Sequence, residues 1–465
     1  MTTAANTEAP RRAADGLFER ADVALDALAG IADGQHEVFA SHEIELKAVY
    51  EHDDFSVSAS NEGSQFGIRT IVDGRLGFVT TNAEDDASLR AAAGEAQELA
   101  RASTPSEHHR IAAGPVVLEH DEVVDPALLT IEPAALYAYL AQVVAEARRD
   151  DRVTLDRAEF TWSLATDVIA SSAGVRGSSA HASCRWMAMG MAQADGEVTS
   201  FDYDGAHAAR QDEIETGIAR SIGAFRESVI GSLGAHAGTS YRGKVLLHPN
   251  VVMTLLGHLV QANCNGRMHV NDMTPWKGRL GDQVGSELLT VYEDPTDRGQ
   301  AEWTPFDREG VPTARHALVD GGRMGFIAYD AYSACRAGTS PTGNADGGAG
   351  DLPSVGFGNV SVAADPARGT VLSDLDLAKA LGSGLVVKRF SGNADPQSGQ
   401  FSGIAKNSWW VRDGARAHPV NEVMIAGNAF ELLQQVVAAG DTQHQLLGAG
   451  RAPYVLVDGV SVTGG

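Results

Sequence analysis

Residues 244–272 read KVLLHPNVVMTLLGHLVQANCNGRMHVND. The apolar segment 245–247 is typical of a short strand, and the pattern after it predicts a helix over residues 251–263. On a helical wheel, aliphatic residues share one broad face and three polar residues lie at its rim. The face consists of Val251, Val252, Leu255, Leu256 and Leu259, and the rim of Thr254, His258 and Gln261. The rim histidine makes this helix the first candidate for a functional site.

The composition is that of a globular protein with several domains. The 465 residues are 43% hydrophobic and 21% charged, which provides enough apolar side chains for two or three cores. The 61 acidic and 36 basic residues give a formal net charge of −25. Because this charge repels phosphate backbones and anionic lipid, we expect no direct binding to nucleic acid or to a membrane.

The cysteines and the N-terminal residues favour a cytoplasmic protein. Cys184, Cys264 and Cys335 lie far apart and form no CxxC pair, so we expect neither a disulfide framework nor a cysteine-rich zinc site. Residues 1–14 carry no apolar signal segment and are predicted to be disordered. No apolar run approaches the roughly 18 residues that a membrane-spanning helix needs.

The order of helix and strand patterns predicts an α+β protein, with two N-terminal α/β units and a C-terminal domain dominated by antiparallel β-strands. The first unit spans residues 15–104 and begins with a helix at Asp15. The second unit spans residues 116–233, and the C-terminal domain spans residues 243–465. Polar stretches without hydrophobic periodicity separate the three segments.

Four ordered motifs carry a resemblance to a known family. They are LLGHLV at residues 255–260, WTPFDREGVPTARHALVDGGRMGFIAYDAYSACRAG at 303–338, TGNADGG at 342–348 and HPVNEVMIAGN at 418–428. Together they resemble the TldD/PmbA family, whose members are cytoplasmic proteins related to a zinc-dependent peptidase and are also described as modulators of DNA gyrase. The segment VDGRLGF at residues 72–78 extends the resemblance, and its Asp-Gly pair predicts a hairpin turn.

The resemblance implies two kinds of family member, which form a heterodimeric peptidase. The TldD type carries HExxxH on this helix and a cysteine near its C-terminus, which together hold zinc, whereas the PmbA (TldE) type lacks them. Here residues 253–258 read Met-Thr-Leu-Leu-Gly-His, so Met253 and Thr254 replace the histidine and the glutamate, and only His258 remains. Residues 444–459 contain no cysteine. The chain is therefore identified as a PmbA-type member.

The chemistry of these side chains opposes a hydrolytic zinc site. Such a site needs about three protein ligands, an open position for water and a nearby carboxylate that accepts the proton of that water. The thioether of Met253 is a poor zinc ligand, and the hydroxyl of Thr254 is no base near neutral pH. Residues five apart on a regular helix also point about 140° away from each other, so the family motif requires a locally irregular helix. We expect no catalytic residue and no metal in this chain, with zinc in the partner subunit.

Other candidate sites are less well supported by the sequence. His258, Cys264 and His269 lie close together and could form a shifted metal site, although a rim histidine and a small buried thiol are ordinary structural residues. The glycine-rich residues 343–358 lack the GxxxxGK[ST] pattern, so we interpret them as a mobile loop beside a cleft. No GxSxG motif indicates a serine nucleophile.

The resemblance implies a non-catalytic subunit of a two-subunit zinc metallopeptidase that cleaves unfolded or modified peptides in an enclosed chamber. Its partner would be a TldD-type zinc-binding subunit, and a peptide could bind by adding a strand to an exposed sheet edge. Two further hypotheses remain open. One is a self-sufficient hydrolase or peptide-tailoring enzyme that uses the shifted site, and the other is a regulatory binding protein that modulates gyrase.

Overall fold

The structure confirms the α+β class. The computed structural model describes residues 8–30, 34–120, 122–300, 303–448 and 450–464. It is 26% helix and 40% strand, and its sheets are mostly antiparallel.

The N-terminal half contains four long helices and eight strands within the described residues. The helices are α1 (Ala9–Leu28), α2 (Asp86–Ala102), α3 (Pro133–Ala147) and α4 (Ile214–Ile230), with short 3₁₀ turns at Pro126–Thr130 and Gln211–Glu213. The strands are β1 (Gln35–Glu51), β2 (Asp54–Val72), β3 (Arg75–Thr81), β4 (Val116–His120), β5 (Val153–Ser171), β6 (Val175–Ala194), β7 (Glu197–Val198) and β8 (Asp202–Ala208).

These eight described strands form one sheet. Its main path runs β3-β2-β1-β5-β6-β4, and β7 and β8 also pair with β6. The antiparallel pairing of β1 with β5 begins with Glu37 opposite Ser171 and continues to the end of β1. The sheet therefore draws strands from both of the segments that the sequence predicts as separate units, residues 15–104 and 116–233.

The two faces of this sheet have different neighbours. On one face, α1 and α2 pack around Phe66, and α3 and α4 pack around Phe160 at the other end of the long strands. Because side chains alternate along a strand, the neighbouring residues face the opposite way. On that side, Phe39 and Ile169 pack against Phe306 and Ala349 of the C-terminal half. The sheet is thus covered by its own helices on one face and contacts the C-terminal half with the other.

Helix α1 begins earlier than the sequence predicts. It begins at Ala9, with Pro10 in its first turn, rather than at Asp15. Proline suits a first turn because the amide hydrogen that it lacks has no partner there. Pro10 and Ala14 are buried, so packing extends the helix into residues predicted to be disordered. Residues 1–7 of that prediction lie outside the described residues.

The hairpin between β2 and β3 turns at Asp73 and Gly74, as predicted. Both residues have positive φ angles, 51° and 71°. This combination is what a two-residue type I′ turn requires, and Asp-Gly adopts it with little strain. A Cβ at Gly74 would also lie 2.9 Å from the carbonyl oxygen of Ser106, so the turn has a second reason for glycine.

The C-terminal half is dominated by short strands. Its helices are α5 (Pro249–Val252), α6 (His258–Cys264), α7 (Gly266–Val270), α8 (Ala331–Ala337), α9 (Asp374–Leu381) and α10 (Ala429–Gln434), with a π-helical segment, Met253–Gly257, between α5 and α6. Its strands are β9 (Tyr241–Leu247), β10 (Leu289–Glu293), β11 (His316–Asp320), β12 (Arg323–Met324), β13 (Ala345–Asp346), β14 (Ser354–Val355), β15 (Ser361–Ala364), β16 (Val371–Leu372), β17 (Gly384–Val387), β18 (Arg389–Ala394), β19 (Gln400–Lys406), β20 (Trp409–Arg412), β21 (Ala415–Pro419), β22 (Val423–Asn428), β23 (Val436–Gly440), β24 (His444–Gln445), β25 (Arg451–Ala452) and β26 (Val455–Thr463).

A second large sheet positions the candidate site. Its main path runs β18-β19-β22-β26-β9-β17-β20-β21. Strand β9 lies inside the sheet, antiparallel to β26 and parallel to β17, and it leads directly into α5. Strand β18 lies at one end of the path, and among the described strands it pairs only with β19. The sheet therefore holds the start of the helix at its centre and presents a free edge at β18.

Candidate functional site

The helix predicted from the sequence is present and longer than expected. We call residues 249–264, which comprise α5, the π-helical segment and α6, the site helix. It begins after His248, whose Nδ1 lies 3.3 Å from the backbone N–H of Asn250. Its predicted apolar face is buried, with Val251, Val252, Leu255, Leu256 and Leu259 each at most 4% exposed. Each such side chain contributes roughly 1.5–3 kcal/mol, so the inner face of the helix anchors it firmly.

The site helix is irregular at the position that the family motif requires. The backbone N–H of His258 donates to the carbonyl of Met253, five residues earlier, which is the hydrogen bond of a π-helix. This turn brings residues five apart onto one side of the helix, and Met253 and His258 both line the same cleft. The irregularity predicted from the motif spacing is confirmed.

The side chains at the motif positions have partners other than a metal. The sulfur of Met253 is 3.8 Å from Nε2 of Gln261, and Met253 is only 8% exposed. The hydroxyl of Thr254 donates to the carbonyl oxygen of Asn250 at 2.8 Å. His258 is exposed, and partial desolvation by the surrounding protein lowers the pKa of its imidazole. Neutral imidazole is the single zinc-ligating group that these positions offer.

This donor set does not fit a catalytic zinc ion. A thioether already packed against an amide, a hydroxyl bonded to the backbone and one imidazole do not provide about three good ligands and a base. Across residues 8–30, 34–120, 122–300, 303–448 and 450–464, no group of three or more histidine, cysteine, aspartate or glutamate side chains is arranged to hold a metal ion.

The shifted site considered from the sequence is not assembled in the part of the chain that the structure describes. His258 faces the cleft, whereas Cys264 is fully buried, with its thiol 3.7 Å from the carbonyl oxygen of Leu318. The ring of His269 is also buried, with Nε2 2.8 Å from the carbonyl oxygen of Asn263. Each of the three side chains therefore has a different local environment.

A cleft of about 650 Å³ lies beside the outer face of the site helix. Met253, Thr254 and His258 of the site helix line it. Lys388 and the first residues of β18, namely Arg389, Phe390, Ser391 and Gly392, also line it. The remaining lining comes from Asp202, Tyr203, Asn250, Val251, Gln261, Phe357, Val360, Leu446, Leu447 and Gly448. The motif positions and the free edge of β18 therefore face one shared space.

Two basic side chains stand in this cleft. The Lys388 ammonium lies 3.4 Å from Nε2 of His248 and 3.9 Å from Oδ2 of Asp204. The Arg389 guanidinium lies over the ring of Tyr203 at 4.0 Å, and its Nη1 is 3.6 Å from Oδ1 of Asp202. The cleft therefore carries a local basic group on a strongly acidic protein.

Burial shifts the pKa values of Asp204 and His248, the two ionisable groups next to Lys388. Desolvation raises the pKa of Asp204 to about 6, although Lys388 opposes the shift. Desolvation also lowers the pKa of His248 well below its ordinary value, and the charge of Lys388 lowers it further. His248 is thus neutral at physiological pH, and the basic character of this cleft comes from Lys388 and Arg389.

The glycine-rich segment forms a hairpin rather than an unstructured loop. Strands β13 and β14 pair with each other, and the backbone N–H of Ala345 donates to Oδ2 of Asp307 at 2.9 Å. The guanidinium of Arg308 donates to the carbonyl oxygen of Gly348 at 3.1 Å. Phe357, near the end of the segment, lines the cleft as the sequence interpretation expects of this region.

The basic pair was missed by sequence reasoning. Lys388 and Arg389 follow an apolar run, and residues 384–390 read as one continuous strand. Adjacent residues on a single strand would point to opposite faces. The structure instead ends β17 at Val387 and begins β18 at Arg389. The signal available in the sequence was two adjacent cations in a chain that is poor in them.

No helix within the described ranges is long and apolar enough to cross a membrane. This finding is consistent with the absence of a long apolar run from the sequence.

Two models of one family match the chain. The model of the PmbA/TldA metallopeptidase C-terminal domain matches residues 240–464, and the model of PmbA/TldA metallopeptidase domain 1 matches residues 36–100. The first match includes the site helix and β18, and the second includes most of β1 and β2.

Curated relatives are similar over part of their length. "Metalloprotease" of Methanothermobacter thermautotrophicus is 30% identical over 40% of this chain and 39% of the relative. "Metalloprotease PmbA" of Escherichia coli O157:H7 is 30% identical over 44% of this chain and 42% of the relative. "Metalloprotease TldD homolog" of Haemophilus influenzae is 26% identical over 44% of this chain and 40% of the relative. The matched regions thus span less than half the length of these relatives.

Two solved structures share the fold over nearly the whole chain. TldE from Thermococcus kodakarensis has a TM-score of 0.83 at 20% identity and covers 97% of this chain and 100% of its own. A putative modulator of a DNA gyrase from Thermotoga maritima has a TM-score of 0.82 at 22% identity, and the match covers 96% of this chain and 100% of that structure. At these identities the similarity establishes the architecture.

Proposed function

The chain belongs to the PmbA/TldD family of metallopeptidase-related proteins, and from this membership we propose that it is the non-catalytic, TldE-like subunit of a two-subunit zinc metallopeptidase. A TldD-type partner holds the zinc, and the complex acts on unfolded or modified peptides inside an enclosed chamber in the cytoplasm. The observation that carries the proposal is the donor set of the site helix, where Met253 and Thr254 occupy the positions of a ligand and a base.

The free edge of β18 gives this subunit a role in binding peptide. β18 pairs with β19 on one side, and its residues 389–392 line the cleft. An extended peptide can add to such an edge through main-chain hydrogen bonds, which depend little on side-chain identity. This mode of binding suits a peptidase that acts on unfolded chains of varied sequence.

The first test measures zinc in the chain alone. The protein is purified without chelators, dialysed against zinc and then against metal-free buffer, and its zinc content is measured by elemental mass spectrometry. We expect less than about a tenth of an equivalent, because one imidazole does not hold zinc against dialysis. One tightly held equivalent that is lost in His258→Ala would contradict the proposal and identify the chain as a metal-binding subunit.

The second test reconstitutes the complex. The chain is mixed with a TldD-type subunit, and cleavage of an unfolded peptide is followed by mass spectrometry with each subunit alone as control. We expect the two proteins to co-purify and cleavage to be sensitive to a chelator. Chelator-insensitive cleavage by this chain alone would instead support the self-sufficient hydrolase.

A further inference from the structure

We infer that the cleft binds the C-terminal carboxylate of an extended peptide through Lys388 and Arg389. The inference rests on the proposed function, since it names the end of the bound peptide that lies at the start of β18. It adds a recognition site to a subunit whose proposed role otherwise requires only a strand edge.

The first observation is the position of the two cations. Lys388 lies between β17, which pairs with β9, and β18, which pairs with β19. The break between the strands allows these adjacent residues to line the same cleft, although neighbours on a continuous strand point to opposite faces. The pair therefore stands at the point where a peptide lying along β18 would begin or end.

The second observation is that both cations have unused hydrogen-bonding capacity. Within the described residues the Arg389 guanidinium makes no hydrogen bond; its Nη1 is buried and lies 3.6 Å from Oδ1 of Asp202, which leaves its other N–H groups for a ligand. The Lys388 ammonium has three N–H donors, and its contacts are the 3.4 Å approach to His248 and the 3.9 Å approach to Asp204. A carboxylate would supply the acceptors that these donors lack.

The neighbouring acids are each hydrogen-bonded through the oxygen that does not face a cation. Oδ2 of Asp202 accepts a hydrogen bond from the Ser228 hydroxyl at 2.6 Å. Oδ1 of Asp204 accepts from the backbone N–H of Gly205 at 2.8 Å. Among the described residues that line the cleft, Asp202 is the only acidic one. An incoming carboxylate therefore meets two cations and one carboxylate, Asp202, whose contact with Arg389 at 3.6 Å is longer than a hydrogen bond.

The rigid setting of Arg389 favours recognition of a planar group. Its guanidinium lies 4.9 Å from the centre of the Phe201 ring and 4.0 Å from that of Tyr203. Two aromatic faces hold the guanidinium plane, and a guanidinium fixed in this way pairs well with a carboxylate. Lys388 supplies a second positive charge with less geometric demand.

The site also fixes the direction of the peptide. β18 runs from Arg389 to Ala394, and the cations lie at its beginning. A peptide whose C-terminus lies there must run antiparallel to β18, with its earlier residues extending toward Ala394. Antiparallel addition would continue the pattern that β18 already makes with β19.

The test compares peptides that differ only at their C-terminus. A fluorescent decapeptide of small, uncharged residues is made as the free acid and as the amide, and binding to the full chain is followed by fluorescence anisotropy. We expect the free acid to bind at least about tenfold more tightly. A third peptide, amidated but carrying one internal glutamate, separates a terminal carboxylate from an acidic side chain. Recovery of tight binding by this third peptide would overturn the assignment to the C-terminus.

Variants connect the preference to the two cations. Lys388→Met should reduce the ratio of acid to amide affinity toward one, and Lys388→Arg should restore most of it because the charge is kept. Arg389→Lys tests the second cation with its charge retained, and we expect an intermediate ratio. Lys379→Met is the matched control, since that lysine is exposed on α9 and pairs with Asp376.

The outcomes separate this inference from the proposed function. Equal binding of acid and amide would overturn the carboxylate site and leave strand addition in place. Binding of neither peptide to the chain would overturn both the carboxylate site and peptide binding at β18, whereas the subunit's lack of zinc is decided by the metal measurement alone. An acid-to-amide ratio that is undiminished in both Lys388→Met and Arg389→Lys would place the carboxylate elsewhere.

Discussion

Arg69 donates two hydrogen bonds to one oxygen of Glu309, each 3.0 Å long, across 240 positions of sequence. The same guanidinium donates to Oε2 of Glu37 at 2.7 Å, and Glu37 accepts from Arg308 at 3.0 Å through its other oxygen. All four side chains are at most 7% exposed. Two residues of the N-terminal sheet and two of the C-terminal half thus form a buried network of alternating charge.

Removing one member of this network should destabilise the protein strongly. Arg69→Met leaves Glu37 and Glu309 buried with a single cation between them, and we expect a loss of about 3–5 kcal/mol in the free energy of unfolding. Urea denaturation followed by fluorescence measures the loss. The control is Arg101→Met, which breaks the exposed pair with Glu98 and should cost less than about 1 kcal/mol. Equal effects of the two substitutions would show that the network does not hold the halves together.

The buried carboxyl of Asp204 should make stability depend on pH. Its pKa is raised to about 6 in the folded protein, so the folded state binds this proton more tightly than the unfolded state. The contribution of this carboxyl group to the free energy of unfolding is therefore fully present at low pH, and it is lost as the pH rises toward and through 6. Asparagine has no carboxyl group to ionise, so the free energy of unfolding of Asp204→Asn, measured relative to that of wild type, should rise by about 1 kcal/mol from pH 5 to pH 7.5. Urea unfolding of both proteins at the two pH values checks the sign, and a relative loss would contradict it.

The close packing of Met253 on Gly257 should appear as an energetic coupling. A Cβ at residue 257 would lie 2.2 Å from the Met253 sulfur. Gly257→Ala should therefore cost about 1–3 kcal/mol in wild type through overpacking. In a Met253→Ala background the clash is absent, and the same change should be neutral or gain up to about 1 kcal/mol from helix propensity. A double-mutant cycle by thermal unfolding measures the difference, and additive effects would rule out the contact.

Peptide binding along β18 should show a period of two. Main-chain N–H groups of an added strand point alternately toward and away from the edge, so N-methylation at alternate peptide residues should weaken binding. We expect methylation at every second position to reduce the affinity about fivefold or more, which corresponds to roughly 1 kcal/mol per hydrogen bond. Methylation at the intervening positions should change the affinity little. Anisotropy with a series of singly methylated peptides tests this. A uniform response would argue against strand addition.

The parts of the fold that could be predicted from sequence are those that local patterns determine. The apolar face of the site helix follows from the spacing of residues such as Leu255 and Leu259, and both are buried. The turn at Asp73 and Gly74 follows from the preference of this pair for positive φ. The need for an irregular helix followed from the five-residue motif spacing, and the π-helical hydrogen bond satisfies it.

The parts that could not be predicted depend on contacts between distant segments. A polar linker separates β1 from β5, and nothing local indicates that the two strands pair. Glu37 and Arg69 look like solvent-facing charges on amphipathic strands, because their partners Arg308 and Glu309 belong to another part of the chain. The cleft itself combines residues from β18, the site helix and the N-terminal half, so its basic pair had no sequence neighbour to indicate its role.

The π-helical hydrogen bond between His258 and Met253 separates the architecture of the site from its chemistry. The bond involves backbone atoms alone, and the buried residues that anchor the helix lie on its inner face. Side chains on the outer face can therefore change without altering the frame that presents them. A substitution at Thr254 or His258 would then alter the chemical groups that the helix offers to the cleft and leave its backbone in place.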